Sequence, residues 1–234
     1  MAFKTPPNGR WKRWLIGGVV AVVVLGVGGP FVYKQFVESD NPPALALPAP
    51  APASAPAATP GPAPAANLDG SWKVGSGSQA GYRVNQKVAG QTATTVGRTN
   101  AVTGSATVSG GQLTAGTVSV NLAKLVTNEA ERDEHVREGI LETDQYPNAV
   151  FTLTKPVQLG TIAPGQVVQV PAVGQLTIHG ATKPATFNLA VRQSGETLSV
   201  QGSTSIAFAD YGVEPPATIP PTSQIEFLLQ FNRS

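Results

Sequence analysis

Near its C-terminus the chain reads Ile225-Glu226-Phe227-Leu228-Leu229-Gln230-Phe231, with a large apolar residue at every odd position. A repeat of two is that of a β-strand, whose successive side chains face opposite ways, so this stretch has one face to bury. The same alternation recurs at Ala80, Tyr82 and Val84, at Phe151 and Leu153, and at Phe187, Leu189 and Val191. It returns in the run holding Leu198, Val200, Ile206 and Phe208. Between these runs stand Ser109-Gly110-Gly111 and Ser194-Gly195-Glu196, the chemistry of tight hairpin turns. The pattern predicts an all-β domain over residues 68–234, with seven to nine antiparallel strands in up-and-down order.

A sheet of that many strands removes its exposed edges by packing or by closing on itself. An eight-stranded barrel has room for its own side chains or for one small ligand. The inward positions are largely Ala, Val, Thr, Gly and Leu with few aromatics, which suggests a bore left partly unfilled. A close-packed interior is the alternative, because the inward volume depends on strand register. One segment reads as helical, residues 128–139, with Asn128 as its cap, Glu131 reaching back and Gly139 as its stop. Its charged pairs are worth only tenths of a kcal/mol, so packing of Val136, Ile140 and Leu141 decides its stability.

The first quarter of the chain is different. Residues 1–13 are basic, carrying Lys4, Arg10, Lys12 and Arg13, and residues 14–33 carry no charge. Twenty such residues match the thickness of a bilayer core, and a helix there satisfies its own backbone groups. The basic flank predicts a single-pass anchor in the cell membrane, with a cytoplasmic N-terminus and an extracytoplasmic β domain. A cleaved signal peptide is the competing reading, since Ala44-Leu45-Ala46 has the small-x-small form, but the apolar run is long and that site lies far downstream. Residues 34–67 form a Pro/Ala-rich linker without apolar periodicity. Read as extended polyproline II at ~3.1 Å per residue, its stretch from 41 to 66 would reach about 80 Å as a stalk.

Composition also bounds the chemistry. No Cys is present, which excludes disulfides and thiol ligation. Residues 1–66 carry five Lys/Arg against two acids and the rest eleven against twelve, so the basic excess flanks the apolar run and does not mark a nucleic-acid surface. Glu131, Asp133, Glu134, His135 and Glu138 are the densest group of metal-ligand types. With two His in the whole chain and Arg interleaved, a solvated helix face accounts for them without a metal. His179 lies in a Gly-flanked hairpin signal, and no Ser-His-Asp order accompanies it. Asp210 and Glu214 around Tyr211-Gly212 read as loop caps. No enzyme activity and no cofactor are expected.

Four ordered motifs then narrow the reading. Arg132-Asp133 in the helix is followed by Tyr146-Pro147-Asn148-Ala149-Val150-Phe151, and next by Leu176-Thr177-Ile178-His179-Gly180-Ala181-Thr182-Lys183-Pro184. Asp210-Tyr211-Gly212-Val213 completes the set. Together with Trp72-Lys73-Val74, Gly81-Tyr82-Arg83-Val84, Gly97-Arg98-Thr99 and Val102-Thr103-Gly104, these motifs resemble the YceI-like family of lipid-binding proteins over residues 68–234. The resemblance implies a lipocalin-like extended barrel with one short helix and a long apolar pocket for polyisoprenoid-like chains. It also implies that Arg132-Asp133 ties the helix to the barrel. The chain departs from the family at Asn85-Gln86-Lys87, at Ile140-Leu141-Glu142-Thr143 and at Ser223.

The expected function is that of a membrane-anchored carrier or sequestering protein for an isoprenoid or other lipid-like ligand. The expected lining is Tyr82, Val84, Phe151, Leu153, Leu176, Phe187, Leu189, Phe208, Ile225 and Phe227, with Arg98, His179 and Asp210 at the mouth. The expected partners are that ligand and the membrane, with no nucleic acid; a homodimer stays open. The alternative is a stalked envelope structural or interaction module whose barrel is filled.

Overall fold

The structure is a computed structural model that describes residues 41–48, 67–88, 91–163 and 165–234. The expected span at residues 14–33 and the linker from 49 to 66 lie outside the described residues. Among the described residues, no helix is long and apolar enough to cross a membrane.

In chain order the strands are β1 (Gly70–Val74), β2 (Gln79–Val88), β3 (Gln91–Thr99), β4 (Val102–Ser109) and β5 (Gln112–Asn121). After them comes the helix α1 (Ala130–Glu134), continued by a wider π turn (His135–Ile140). The remaining strands are β6 (Asn148–Leu153), the short β7 (Val157–Gln158), β8 (Val167–Ile178), β9 (Ala181–Ser194), β10 (Thr197–Ala207) and β11 (Thr222–Arg233). Neighbours pair antiparallel in the order β1-β4-β5-β6-β8-β9-β10-β11, and β1 also pairs β11, which closes the ring. β2 prolongs β1 along β11, and β3 prolongs β4 along β2, so the ring has eight staves. This is the all-β antiparallel barrel with one short helix that the family resemblance implied.

Turn chemistry sets the register. Gly110 (φ 58°) and Gly111 (φ 74°) lie in the left-handed region between β4 and β5, which is the twist a two-residue hairpin needs. His179 (φ 50°) and Gly180 (φ 74°) do the same between β8 and β9. With the hairpins fixed, Phe187, Leu189 and Val191 of β9 fall on one face and Leu229 and Phe231 of β11 join them in the core.

The helix differs from its expected form. Its N-cap is Glu129, one residue after the expected Asn128, and makes no side-chain cap bond. The Asp133 carboxylate instead reaches back and accepts from the Thr127 N–H at 2.7 Å. Because Val126, next to Thr127, bridges to Arg98 of β3, Asp133 ties the helix to the barrel as the family resemblance implied. Arg132 pairs locally with Asn128 and Glu129. Gly139 does not stop the helix, because the π turn runs through it to Ile140.

Part of the expected stalk is not free. Asn41–Pro48 lies against the outer wall of the barrel, where Leu45 is 9% exposed. Proline brings a carbonyl acceptor but no N–H donor, and Arg83 and Arg98 of the wall donate to the carbonyls of Pro42 and Pro43.

Candidate apolar cavity in the barrel

The two halves of the barrel differ in filling. At the end of the β4–β5 and β9–β10 hairpins the bore is solid. Trp72 is fully buried there, donates its indole N–H to the Leu68 carbonyl at 2.9 Å, and lies under the Arg233 guanidinium. Val108, Val157, Leu159, Ile162, Leu198 and Phe231 complete this plug. The expected hollow therefore does not run the length of the axis.

Toward the helix end the bore opens into a cavity of about 320 Å³. That lies at the lower end of the ~300–1,000 Å³ usual for small-molecule sites. Ala80, Tyr82 and Val84 of β2, Val118 and Val120 of β5, Ala149 and Phe151 of β6 and Ile225 and Phe227 of β11 form its wall. Val136, Ile140 and Leu141 cover it from the helical segment, and Val213, Pro215, Pro216 and Ile219 cover it from the loop before β11. The packing demanded of the helix is thus met by the cavity itself.

Aromatics, expected to be scarce inside, are concentrated there: Tyr82, Phe151, Phe187, Phe208, Tyr211 and Phe227 all line the cavity. Phe187 sits between Phe151, edge-on at 5.1 Å, and Phe227, tilted at 5.3 Å. Glycines make room for three of the rings, with Phe151 over Gly174. Tyr82 lies over Gly97, its partner across β3, and Phe227 lies over Gly202, its partner across β10. The aromatics stand as walls because the opposite strand offers no side chain, which leaves the centre unfilled.

Eight of the ten expected lining residues face this cavity. Leu189 and Leu153 do not, since both pack in the core away from it. None of the three expected mouth residues lies on it. Arg98 is on the outer wall, where it donates to Glu226 at 2.7 Å. His179 stacks on Tyr146 at 4.6 Å, with Nδ1 at 3.3 Å from the Tyr211 carbonyl and Nε2 at 3.4 Å from Glu142, so it fastens the hairpin to its surroundings. Asp210 is exposed in the short 3₁₀ turn Phe208–Tyr211.

The polar groups that do reach the cavity are Gln86, Thr95, Arg132, His135, Thr218 and Ser223. Gln86 donates to Thr95 at 3.1 Å, and Ser223 donates to the Arg83 carbonyl at 3.3 Å. Burial pushes the Tyr82 hydroxyl up to about 12, with Arg132 opposing the rise and Asp133 adding to it. Burial, then Asp210, also raises Tyr211. Gln86, Ile140, Leu141 and Ser223, at or next to the family departures, all line the cavity. Arg132, His135 and the loop from Val213 to Ile219 are absent from the expected lining, because no period-two signal marks a helix face or a proline loop.

Comparison with known proteins adds relatives. Residues 72–231 match the YceI-like domain. A UPF0312 protein of Pseudomonas putida is 29% identical over 125 residues, which are 50% of this chain and 62% of that protein. A UPF0312 protein of Pseudomonas savastanoi is 33% identical over 114 residues, 46% of this chain and 55% of that protein. The match thus spans under two thirds of these relatives' length. Among solved structures, a polyisoprenoid-binding domain from Saccharophagus degradans superposes with a TM-score of 0.56 at 19% identity, covering 70% of this chain and 98% of that domain. Burkholderia cenocepacia BcnA gives a TM-score of 0.53, also at 19% identity, over 65% of this chain and 95% of BcnA.

Proposed function

For a chain that belongs to the YceI-like family, we propose the function of holding an isoprenoid or another lipid-like molecule in the barrel cavity for transport, storage or sequestration. One observation carries the reading: an aromatic-walled hollow whose lining is almost wholly apolar, with Gln86 turned to Thr95 and Ser223 to the Arg83 carbonyl. Each CH₂ placed there contributes about 0.8 kcal/mol, so a hydrocarbon chain binds tightly without charged contacts. The polyisoprenoid-binding relative from Saccharophagus degradans supports the same class of ligand.

The size of the cavity bounds the guest. A hollow of about 320 Å³ accepts a short chain, or one segment of a long chain whose remainder passes out between the helix and the proline loop. No covalent step is assigned. Among the described residues the lining contains one histidine, His135, and no carboxylate. In this reading the anchor at residues 14–33 holds the barrel on the extracytoplasmic side of the membrane, where lipids are at hand.

Extraction and mass spectrometry of gently purified full-length protein test the proposal. A co-purifying lipid in stoichiometric amount is expected. Repeated recovery of empty protein that also fails to bind an apolar fluorophore saturably would refute it.

A further inference from the structure

The outer wall of the barrel carries a second built feature. Glu226 alternates outward on β11, away from the cavity, yet is only 2% exposed. Its carboxylate accepts from Arg98 at 2.7 Å, from Arg83 at 3.4 Å and from the Leu45 N–H at 3.2 Å. The same arginines donate onward, Arg83 to the Pro42 carbonyl at 2.9 Å and Arg98 to the Pro43 carbonyl at 2.7 Å. Asn41 donates to the Thr94 carbonyl of β3 at 2.6 Å, and Arg192 of β9 donates to the Pro48 carbonyl. Val96, on the outward face of β3, is 2% exposed and stands apart from the main core.

These contacts have a geometry. Across the wall the strands run β3-β2-β11-β10-β9, four spacings of ~4.8 Å, or about 19 Å. From Asn41 to Pro48 the chain advances seven residues, which in polyproline II at ~3.1 Å each cover about 22 Å. A proline-rich segment therefore crosses the staves at their own spacing, and charged side chains of the wall read its backbone. Register is pinned by Leu45, since residues 49–66 hold no side chain larger than Pro or Thr and cannot replace it.

We propose that the outer wall bearing Arg83, Arg98, Glu226 and Arg192 is a recognition site for an extended proline-containing segment, filled in cis by Asn41–Pro48. The barrel is then clamped beside residue 40 and not hung at the far end of the linker. Only residues 34–40 separate the docked strap from the apolar run, a reach of at most about 25 Å. This site is separate from the cavity and stands whether or not the cavity holds a lipid.

Because the chain has no Cys, paired spin labels report on the strap without background. Ala46→Cys and Ser205→Cys place labels on exposed positions of the strap and of β10. In the full-length protein one narrow distance is expected. Adding Leu45→Asp, which sets a carboxylate beside Glu226 and leaves the barrel sequence intact, should convert the peak to a broad distribution with the far-ultraviolet spectrum unchanged. A mixture of singly labelled chains should give no narrow peak. A broad distribution in the parent, or a narrow one that survives Leu45→Asp, overturns the site; a narrow peak in the mixture overturns its occupation in cis.

Discussion

Replacing Ala149 by Phe tests whether the hollow is real and whether it is used. Ala149 on β6 lines the cavity side by side with Val120, its partner on β5, so the new ring has space in front of it. The ring adds six carbons to a volume of about 320 Å³. At ~0.8 kcal/mol per methylene-sized group, a guest that loses six such positions loses about 5 kcal/mol. At ~1.4 kcal/mol per decade, that is at least a thousandfold in affinity. Stability without ligand should move the other way, because filling an empty apolar space commonly adds ~0.5–2 kcal/mol. Urea titration gives the stability, and saturation binding of diphenylhexatriene, with lipid extraction beside it, gives the affinity. If the variant is instead destabilised by the ~1–3 kcal/mol typical of overpacking while still taking up ligand, the reasoning from an open cavity fails.

Three further outcomes follow from the structure. Gly202→Ala places a Cβ against the Phe227 ring and 2.9 Å from Leu189, so it should cost ~1–3 kcal/mol and weaken fluorophore binding as the ring is pushed inward, measured by denaturant midpoint and binding titration. Burial pushes Tyr82 up to about 12 from the ordinary 10.0, so the folded state holds its proton longer; its contribution to stability is full below pH 10 and lost as pH rises toward 12. Phenolate absorbance against pH should show a late-titrating tyrosine that is absent from Tyr82→Phe. Glu226→Ala leaves Arg83 and Arg98 without their shared carboxylate; since these arginines are 20% and 13% exposed, the loss should fall at or below the low end of the ~3–5 kcal/mol for broken buried pairs. Thermal unfolding checks it, and Leu45→Asp, which acts from the strap, should cost far less.

Strands and hairpins were legible because a sheet writes its faces as alternation and its turns as glycine pairs; Ser109-Gly110-Gly111 and Phe187-to-Val191 needed no tertiary information, whereas closure into a barrel rested on the family resemblance. The wall of the cavity was legible for the same reason wherever it is strand. What alternation could not show was depth along the axis. Leu189 and Phe187 share a face, yet only Phe187 reaches the hollow, because the distance from the Trp72 plug separates them. Gly97 and Gly202 read as weak strand residues until the rings lying on them are seen. Arg98 is expected at the mouth, but its parity opposite Gly81 turns it outward. Asn41–Pro48 read as spacer because its partners are more than 40 residues away and lie on the strand faces expected to meet only water.

The plug at Trp72 has a further consequence for traffic. A tube stopped at one end is a cul-de-sac: whatever occupies it must back out through the doorway by which it came. If the cavity carries cargo as proposed, that cargo does not pass through from one side of the molecule to the other, and donor and acceptor take turns at the open end. Each handover is then an exchange in sequence.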